Sequence, residues 1–350
     1  MGTLNAEFLK LIHGISASSE VELTEDLIGD AITEALPKIS ERLLQELHKD
    51  APEMLFWERH HGHGFCERLI HRWQEGFDLL DMLGVICLET GEMVVRDVSP
   101  ELKRSETPRF ESLSRLHARA CLIFGEIVCL LKSGYADGAL ARWRALHEIA
   151  VVALFIAENP VNLSVRFLDH RHIECWRRMQ KYQDHCKRLG CEPYSDAEMN
   201  NAEQVANALK EKYGHAFERD YGWAAEALDS GNPKFTNLEI RVGIQHLRPY
   251  YQWACERIHA SSNGLYRTLG LVNSEDLMLA GPSNAGLADP AQLAAISLHQ
   301  ATTALQVNYP DMDFLVAISV AQRVVAQIQE VFVRIQGKLE EEEESNRRNS

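Results

Sequence analysis

The chain has 350 residues, 45% of them hydrophobic and 25% charged, a composition typical of one large or two medium globular domains. This composition excludes collagen-like, mucin-like and wholly disordered proteins. The formal net charge of −15 argues against binding to extended nucleic acid, because a phosphate backbone is held chiefly by clustered Lys and Arg.

The cysteines and the apolar segments indicate the cellular compartment. The eight cysteines form no Cys-x-x-Cys pair and lie mostly among apolar residues, as free thiols do in a reducing cytoplasm. The N-terminus has no basic region followed by an apolar run, so no secretory signal is expected. The two most apolar stretches, 120–131 and 149–157, are too short to cross about 30 Å of hydrocarbon. We therefore expect a cytoplasmic protein without a membrane segment.

The hydrophobic pattern predicts helices throughout. Apolar residues recur at intervals of three and four, and alternation with period two is nearly absent. The predicted fold is all-α, a multi-helix bundle of long antiparallel helices with little or no sheet. Capping and turn residues place the helices at 22–49, 64–92, 109–133, 136–158, 161–189, 196–213, 247–270, 289–307 and 312–339. Pro37 is expected to divide the first of them.

Turn formers and charge runs predict the domain boundaries. Residues 89–100 resemble a connector, which gives an N-terminal helical region at 1–98 and a main helical domain at 105–275. Residues 276–339 are predicted to form a C-terminal helical hairpin that packs on the main domain. The run from Glu340 to Glu344 repels itself, so 340–350 is expected to be a disordered acidic tail.

One predicted helix carries polar groups in an apolar setting. The segment 139–155 is apolar nearly all round, as in a helix buried among others. Arg144 and Glu148 are four residues apart on one side, with His147 beside them. A buried charge without a partner costs several kcal/mol, roughly, so these groups need partners. They form either an internal salt-bridge network or a pocket for an anionic or polar ligand.

The next helices carry polar stripes that could meet this one. Arg166, His170 and Glu174 repeat every four residues and are expected to face the preceding helix across a short turn. His170 and Glu174 have the spacing of metal ligands, but no third ligand is evident, so no metal or cofactor is predicted. On a later helix, Tyr251 and His259 share a stripe with Cys255 and are followed by Ser261.

Arg142 and His147 suggest an enzyme. The segment Arg142-Trp143-Arg144-Ala145-Leu146-His147 resembles the active-site motif of HEPN ribonucleases, compact helical RNA-cleaving domains of toxins and defence systems. That resemblance implies metal-independent cleavage in which His147 moves protons and Arg142 stabilises charge on the phosphate. It also implies an active site formed across a homodimer.

A second resemblance covers roughly residues 105–270. Arg144, Leu146 and Glu148 fit an Arg-x-Leu-x-Glu helix, and Arg166, Phe167 and Asp169 fit an Arg-Phe-x-Asp-Tyr helix in which His170 replaces the Tyr. His259 and Ser261 fit a Tyr-rich helix that ends in His-x-Ser. Together these segments resemble the bacterial domain of unknown function family 5677. The resemblance implies an all-helical protein of unassigned activity, and it favours Arg144 with Glu148 over Arg142 with His147.

Three functional hypotheses follow. In the first, Arg144, Glu148, Arg166, Asp169 and His259 converge in a buried polar seam, and the protein binds a small ligand or a protein partner. In the second, the protein is a HEPN-like ribonuclease, which requires Arg142 and His147 to reach one open cleft. The third is a structural interaction protein, which is preferred if the seam is fully satisfied and closed to solvent.

Overall fold

The computed structural model describes residues 25–259, 262–271, 278–309 and 311–348. In these residues there are ten α-helices and no strand, which confirms the all-α prediction. The helices are α1 (Glu25–Val98), α2 (Thr107–Lys132), α3 (Ala136–Glu158), α4 (Val161–His185), α5 (Asp196–Tyr213), α6 (Phe235–Arg241), α7 (Arg248–Ile258), α8 (Ser262–Tyr266), α9 (Ala288–Gln306) and α10 (Met312–Arg348). Four short 3-10 turns lie between them at Ser99–Glu101, His215–Glu218, Gly222–Ala224 and Gln245–Leu247.

The chain divides into two compact units, the first ending at Glu67 and the second beginning at Arg68. The sequence placed its boundary at residue 98 instead. In the first unit the described part is the beginning of α1, and its large apolar side chains, such as Leu36, Leu47 and Phe56, are exposed.

Helix α1 is continuous where the sequence predicted a break at Pro37 and a gap between 49 and 64. A proline removes one backbone hydrogen bond, but its fixed φ is compatible with a helix. The ion pairs Lys38–Glu34 and Arg42–Glu46, each four residues apart, support the helix around Pro37. The proline therefore does not end the helix.

The predicted connector at 89–100 is also helical as far as Val98. Gly91, within this segment, lies at a close contact between two helices. A Cβ at Gly91 would lie 2.3 Å from Cε1 of His117 on α2. Val94, one turn further on, is fully buried. Close approach of α2, rather than a turn, accounts for the glycine.

Helices α2, α3 and α9 form the centre of the second unit. On α3 the side chains of Trp143, Leu146 and Phe155 have no exposed surface. Opposite them, α9 contributes small residues that let the helix axes approach closely: Ala291, Ala294, Ala295, Ala301 and Ala304. The indole Nε1 of Trp143 donates to Oγ of Ser297 at 2.9 Å and so joins α3 to α9.

Helix α4 does not lie along α3 as the sequence predicted. It packs mainly on α2, on α5 and on the 3-10 turn Gly222–Ala224, and it touches α3 only slightly. The turn at Asn159-Pro160 directs it away, because Asn159 has an extended backbone and its side-chain amide donates back to the carbonyl of Phe155. The polar stripe of α4 therefore faces α5 and the segment that follows α5.

Helix α10 packs on α9 through a buried face that includes Phe332, whose ring lies 5.3 Å from that of Trp73 and 6.1 Å from that of Phe77. It extends to Arg348, through the predicted acidic tail, where Arg72 of α1 pairs with Glu342 at 2.7 Å. By length and composition the stretch Met312–Asn346 is also apolar enough to cross a membrane, and 33% of its most apolar window is buried. The absence of a membrane segment stays a prediction.

The contact at Gly91 gives a stability test. We expect Gly91→Ala to lower the free energy of unfolding by about 1–3 kcal/mol, because the added methyl group overlaps the buried His117 ring. Urea unfolding measures the change. Gly125→Ala on α2 is the matched control: it has open space around its Cβ and should be neutral or stabilising. Equal effects of the two substitutions would contradict the proposed contact.

His117 gives a pH test. Burial lowers the pKa of its imidazole from 6.5 to about 4, and Nε2 lies 3.2 Å from the Thr302 hydroxyl, which itself donates to the carbonyl of Leu298. Below pH 6.5 the unfolded chain therefore binds a proton that the folded chain does not. The neutral His117 imidazole therefore contributes fully to the free energy of unfolding above pH 6.5. That contribution is lost as pH falls towards 4, at up to about 1.4 kcal/mol per pH unit.

Replacement of the imidazole isolates that contribution. In His117→Gln the free energy of unfolding should fall less steeply between pH 6.5 and 4 than in the wild type, measured by urea unfolding at several pH values. Identical slopes for the two proteins would show that His117 does not titrate in this way.

Candidate functional site

The centre of the site is a buried carboxylate. Glu239 of α6 is 1% exposed, and it accepts from two side chains on opposite sides. Its Oε1 lies 3.0 Å from Nε2 of His147 on α3, and its Oε2 lies 3.1 Å from Nη1 of Arg248 at the start of α7. Because the carboxylate faces Nε2, that nitrogen carries a proton and donates. This Glu239 network joins three helices through one charged group.

A second network lies on the outer side of α3. The hydroxyl of Tyr251 donates to Oε1 of Glu148 at 2.5 Å and accepts from Nε of Arg144 at 3.0 Å. Arg144 and Glu148 also pair directly at 3.2 Å, and both side chains are about one-third exposed. Burial, followed by the hydrogen bond to Glu148, raises the pKa of Tyr251, and the hydrogen bond from Arg144 opposes this. The phenol therefore stays protonated and holds the pair together.

Aromatic rings connect the two networks. The imidazole of His147 lies 5.9 Å edge-on to Phe235 and 5.8 Å from Tyr251. The guanidinium of Arg248 lies over the rings of the same two residues, 5.8 Å from Phe235 and 5.0 Å from Tyr251. Phe235 is thus held in place by groups whose own positions depend on Glu239.

A third cluster forms where α4 meets the segment after α5. Arg166 donates from Nε to the carbonyl of Trp223 at 3.1 Å and from Nη1 to Glu226 at 2.7 Å. Its guanidinium lies over the rings of Tyr213, at 4.7 Å, and Phe217, at 5.6 Å. This Arg166 cluster fixes residues 213–226 against α4.

Asp169 and His170 belong to the same cluster. Asp169 accepts from the Tyr213 hydroxyl at 2.7 Å and from Nζ of Lys212 at 3.2 Å. His170 is 1% exposed; its Nε2 donates to the carbonyl of Arg219 at 2.9 Å, and its Nδ1 lies 3.4 Å from Glu174. The hydrogen bond with His170 is the main cause of a lowered pKa of Glu174.

An open groove lies between the Arg166 cluster and the Glu239 network. It has a volume of about 740 Å³, and its lining includes Arg177, Arg219, Asp220, Tyr221, Lys234 and Phe235. The ring of Tyr221 lies 5.9 Å from that of Phe235, which in turn contacts His147. Burial raises the pKa of Tyr221, so its phenol is neutral. We call this feature the cationic groove.

The charges of the groove differ in sign from those of the whole chain. Three cationic side chains line it against two acidic ones, Glu218 and Asp220. Both acids are already paired, Asp220 with Arg177 at 2.9 Å and Glu218 with Lys210 at 3.0 Å. Among the described residues, Arg219 and Lys234 make no ion pair within 4.0 Å. The groove lining therefore has one more cationic than acidic side chain, three against two, on a chain whose net charge is −15.

The structure brings together some of the residues of the predicted polar seam and separates others. Arg144, Glu148 and Tyr251 meet in one network. Arg166, Asp169 and His170 form a different cluster on the far side of the groove. His259 is exposed at the C-terminal end of α7, and Ser261 lies outside the described residues. A single seam is therefore not formed, because α4 leaves α3 at Asn159.

Arg142 and His147 do not share an open cleft. Arg142 is about one-third exposed and pairs with Glu126 on α2. The side chain of His147 has no exposed surface, and one of its nitrogens is already engaged by Glu239. Substrate cannot reach a fully buried imidazole, so the ribonuclease motif is not assembled in this fold. Within the part of the chain that is described, no group of three His, Cys, Asp or Glu residues could hold a metal ion.

Sequence reasoning missed Glu239, Arg248 and the cationic groove. All three involve the segment 215–248, where 3-10 turns and the seven-residue helix α6 give no long periodic pattern. The sequence did contain one indication of this contact. Glu239 is a charged residue between the apolar Leu238 and Ile240, and a buried His147 needs a hydrogen-bond acceptor. Nothing in the local sequence shows that these two residues meet across the bundle.

Burial predicts unequal effects for the two glutamates. We expect Glu239→Gln to lower the free energy of unfolding by about 1–3 kcal/mol, because it replaces the charged acceptor of two hydrogen bonds at a buried position. Glu148→Gln, the same substitution in a pair one-third exposed, should cost only about 0–1 kcal/mol. Denaturant unfolding of both variants at neutral pH compares them. A smaller loss for Glu239→Gln than for Glu148→Gln would contradict the central place of Glu239.

Comparison with known proteins identifies a family but no activity. No curated protein and no solved structure matches this chain. A family model described as a family of unknown function, DUF5677, matches residues 110–276, which contain α3, the Glu239 network and the cationic groove. Residues 110–276 of the chain are thus similar to the DUF5677 family of unknown function.

Proposed function

We propose that this protein is a binding module whose cationic groove takes a small anionic ligand. The observation that carries the proposal is that two cationic side chains, Arg219 and Lys234, line a groove of about 740 Å³ without an ion-pair partner among the described residues. Small-molecule sites typically have volumes of about 300–1,000 Å³ and a few well-placed polar groups. Carboxylate and phosphate groups are the anions that arginine and lysine bind best.

The buried networks support this proposal by fixing the walls of the groove. The Glu239 network holds Phe235 through His147 and Arg248. On the opposite side, the Arg166 cluster holds the backbone of Arg219 and Trp223. Both walls are therefore rigid before a ligand arrives, and a preformed site loses less entropy on binding. The Glu239 network and the Arg166 cluster thus act as supports of the site rather than as the site itself.

Calorimetric titration with inorganic phosphate and with ribose 5-phosphate tests the proposal. We expect the wild type to bind, and the double variant Arg219→Gln/Lys234→Gln to bind at least about tenfold more weakly, because it loses two charge-assisted hydrogen bonds. The control is Lys187→Gln/Arg188→Gln, which removes two exposed charges that do not line the groove. Absence of binding by the wild type, or equal weakening by both double variants, would refute the proposal.

A further inference from the structure

The lining of the cationic groove combines aromatic rings and an amide with its positive charges. Tyr221 and Phe235 lie at one part of the wall with their ring planes 30° apart. Tyr221 is half-buried, so one side of its ring is supported by protein while another part faces the groove. Among the described residues its hydroxyl makes no hydrogen bond, although it lies close enough to Glu148 and Glu239 for their charges to raise its pKa. Aromatic rings such as these are not required to bind a small inorganic anion.

The side-chain amide of Asn232 is a second group that is not required to bind an inorganic anion. Its side chain is exposed and lines the same groove, next to Pro233 and Lys234. An asparagine amide offers one donor and one acceptor side by side, which matches the edge of a purine or pyrimidine base. The backbone at this position is fixed by a hydrogen bond, because the backbone N–H of Asn232 donates to Oγ of Ser230. Aromatic, amide and cationic groups therefore surround one volume.

We propose that the ligand of the cationic groove is a free nucleoside monophosphate, whose base contacts Tyr221 and Asn232 and whose phosphate is bound by Arg219 and Lys234. This inference rests on the proposed anion-binding function of the groove. Base stacking on an aromatic side chain is tolerant of sequence and strong enough to dominate the recognition of a single base. A volume of about 740 Å³ has room for one nucleotide.

The charge of the chain favours a free nucleotide over a polynucleotide. An RNA strand would extend beyond the groove over a protein of net charge −15, where further phosphates meet few compensating cations. Two carboxylates, those of Glu218 and Asp220, already lie in the groove lining against its three cationic side chains. A lining with this charge balance suits one phosphate group better than a series of them.

A ligand series tests the nucleotide and separates it from the underlying anion site. Titration calorimetry with the full chain compares adenosine 5′-monophosphate, ribose 5-phosphate and a ten-residue oligoadenylate. We expect the mononucleotide to bind about tenfold more tightly than ribose 5-phosphate because only the former has a base to stack. Equal affinity for the two would overturn the nucleotide assignment and leave the anion-binding function intact. Tighter binding of the oligoadenylate per strand would overturn the assignment to a free nucleotide.

Two variants locate the base. Tyr221→Leu should weaken binding of the mononucleotide at least about tenfold more than binding of ribose 5-phosphate, because only the mononucleotide has a base to stack on the ring. Asn232→Ala, at an exposed position that does not support the fold, should reduce the preference for the mononucleotide over ribose 5-phosphate and keeps the test valid if Tyr221→Leu is unstable. Unchanged preference in both variants would show that the base does not lie against this wall.

Discussion

A carboxylate with 1% of its surface exposed needs partners to stay charged inside a helical bundle, and Glu239 has two. His147 approaches from the central helix α3 and Arg248 from α7, so one side chain joins three helices. The short helix α6 has only seven residues and would not be stable alone. Its position depends on Glu239 and on the burial of Phe235 and Leu238. The wall of the cationic groove that contains Phe235 therefore rests on this ionic contact.

The two clusters on either side of the groove have the same physical role. In each cluster, a buried polar side chain of a long helix binds the segment of short helices and turns between α5 and α7. His147 contacts Glu239, and Arg166 donates to the backbone carbonyl of Trp223. Irregular segments have no periodic hydrogen bonding of their own, so side chains must supply it. The result is a rigid concave surface formed by loops on a helical scaffold, the arrangement in which binding sites are most often found. Both clusters lie within residues 110–276, the part of the chain that matches the DUF5677 family model.

The sequence predicted what depends on periodicity and failed where contacts are long-range. The long helices, the burial of α3 and the pairing of Arg144 with Glu148 follow from three- and four-residue spacing. The connector at 89–100 was predicted because a glycine that accommodates His117 looks the same in sequence as one in a turn. The single polar seam was predicted because a short turn usually leads to an antiparallel neighbour, whereas α4 leaves α3 and packs on α2 and α5. Glu239 meets His147 across 92 residues of chain, a separation that no local pattern encodes.

The role of Glu239 as the support of the groove is tested most directly by the affinity of the Glu239→Gln variant for ribose 5-phosphate. The measurement is made at a temperature where circular dichroism shows that the variant is folded. Glu239 does not line the groove, and removal of its negative charge would by Coulomb's law alone strengthen the binding of an anion. We expect the opposite, a weaker affinity than that of the wild type, because Phe235 and its neighbours lose their fixed positions. An affinity equal to or higher than that of the wild type would contradict the claim that the buried carboxylate supports the site.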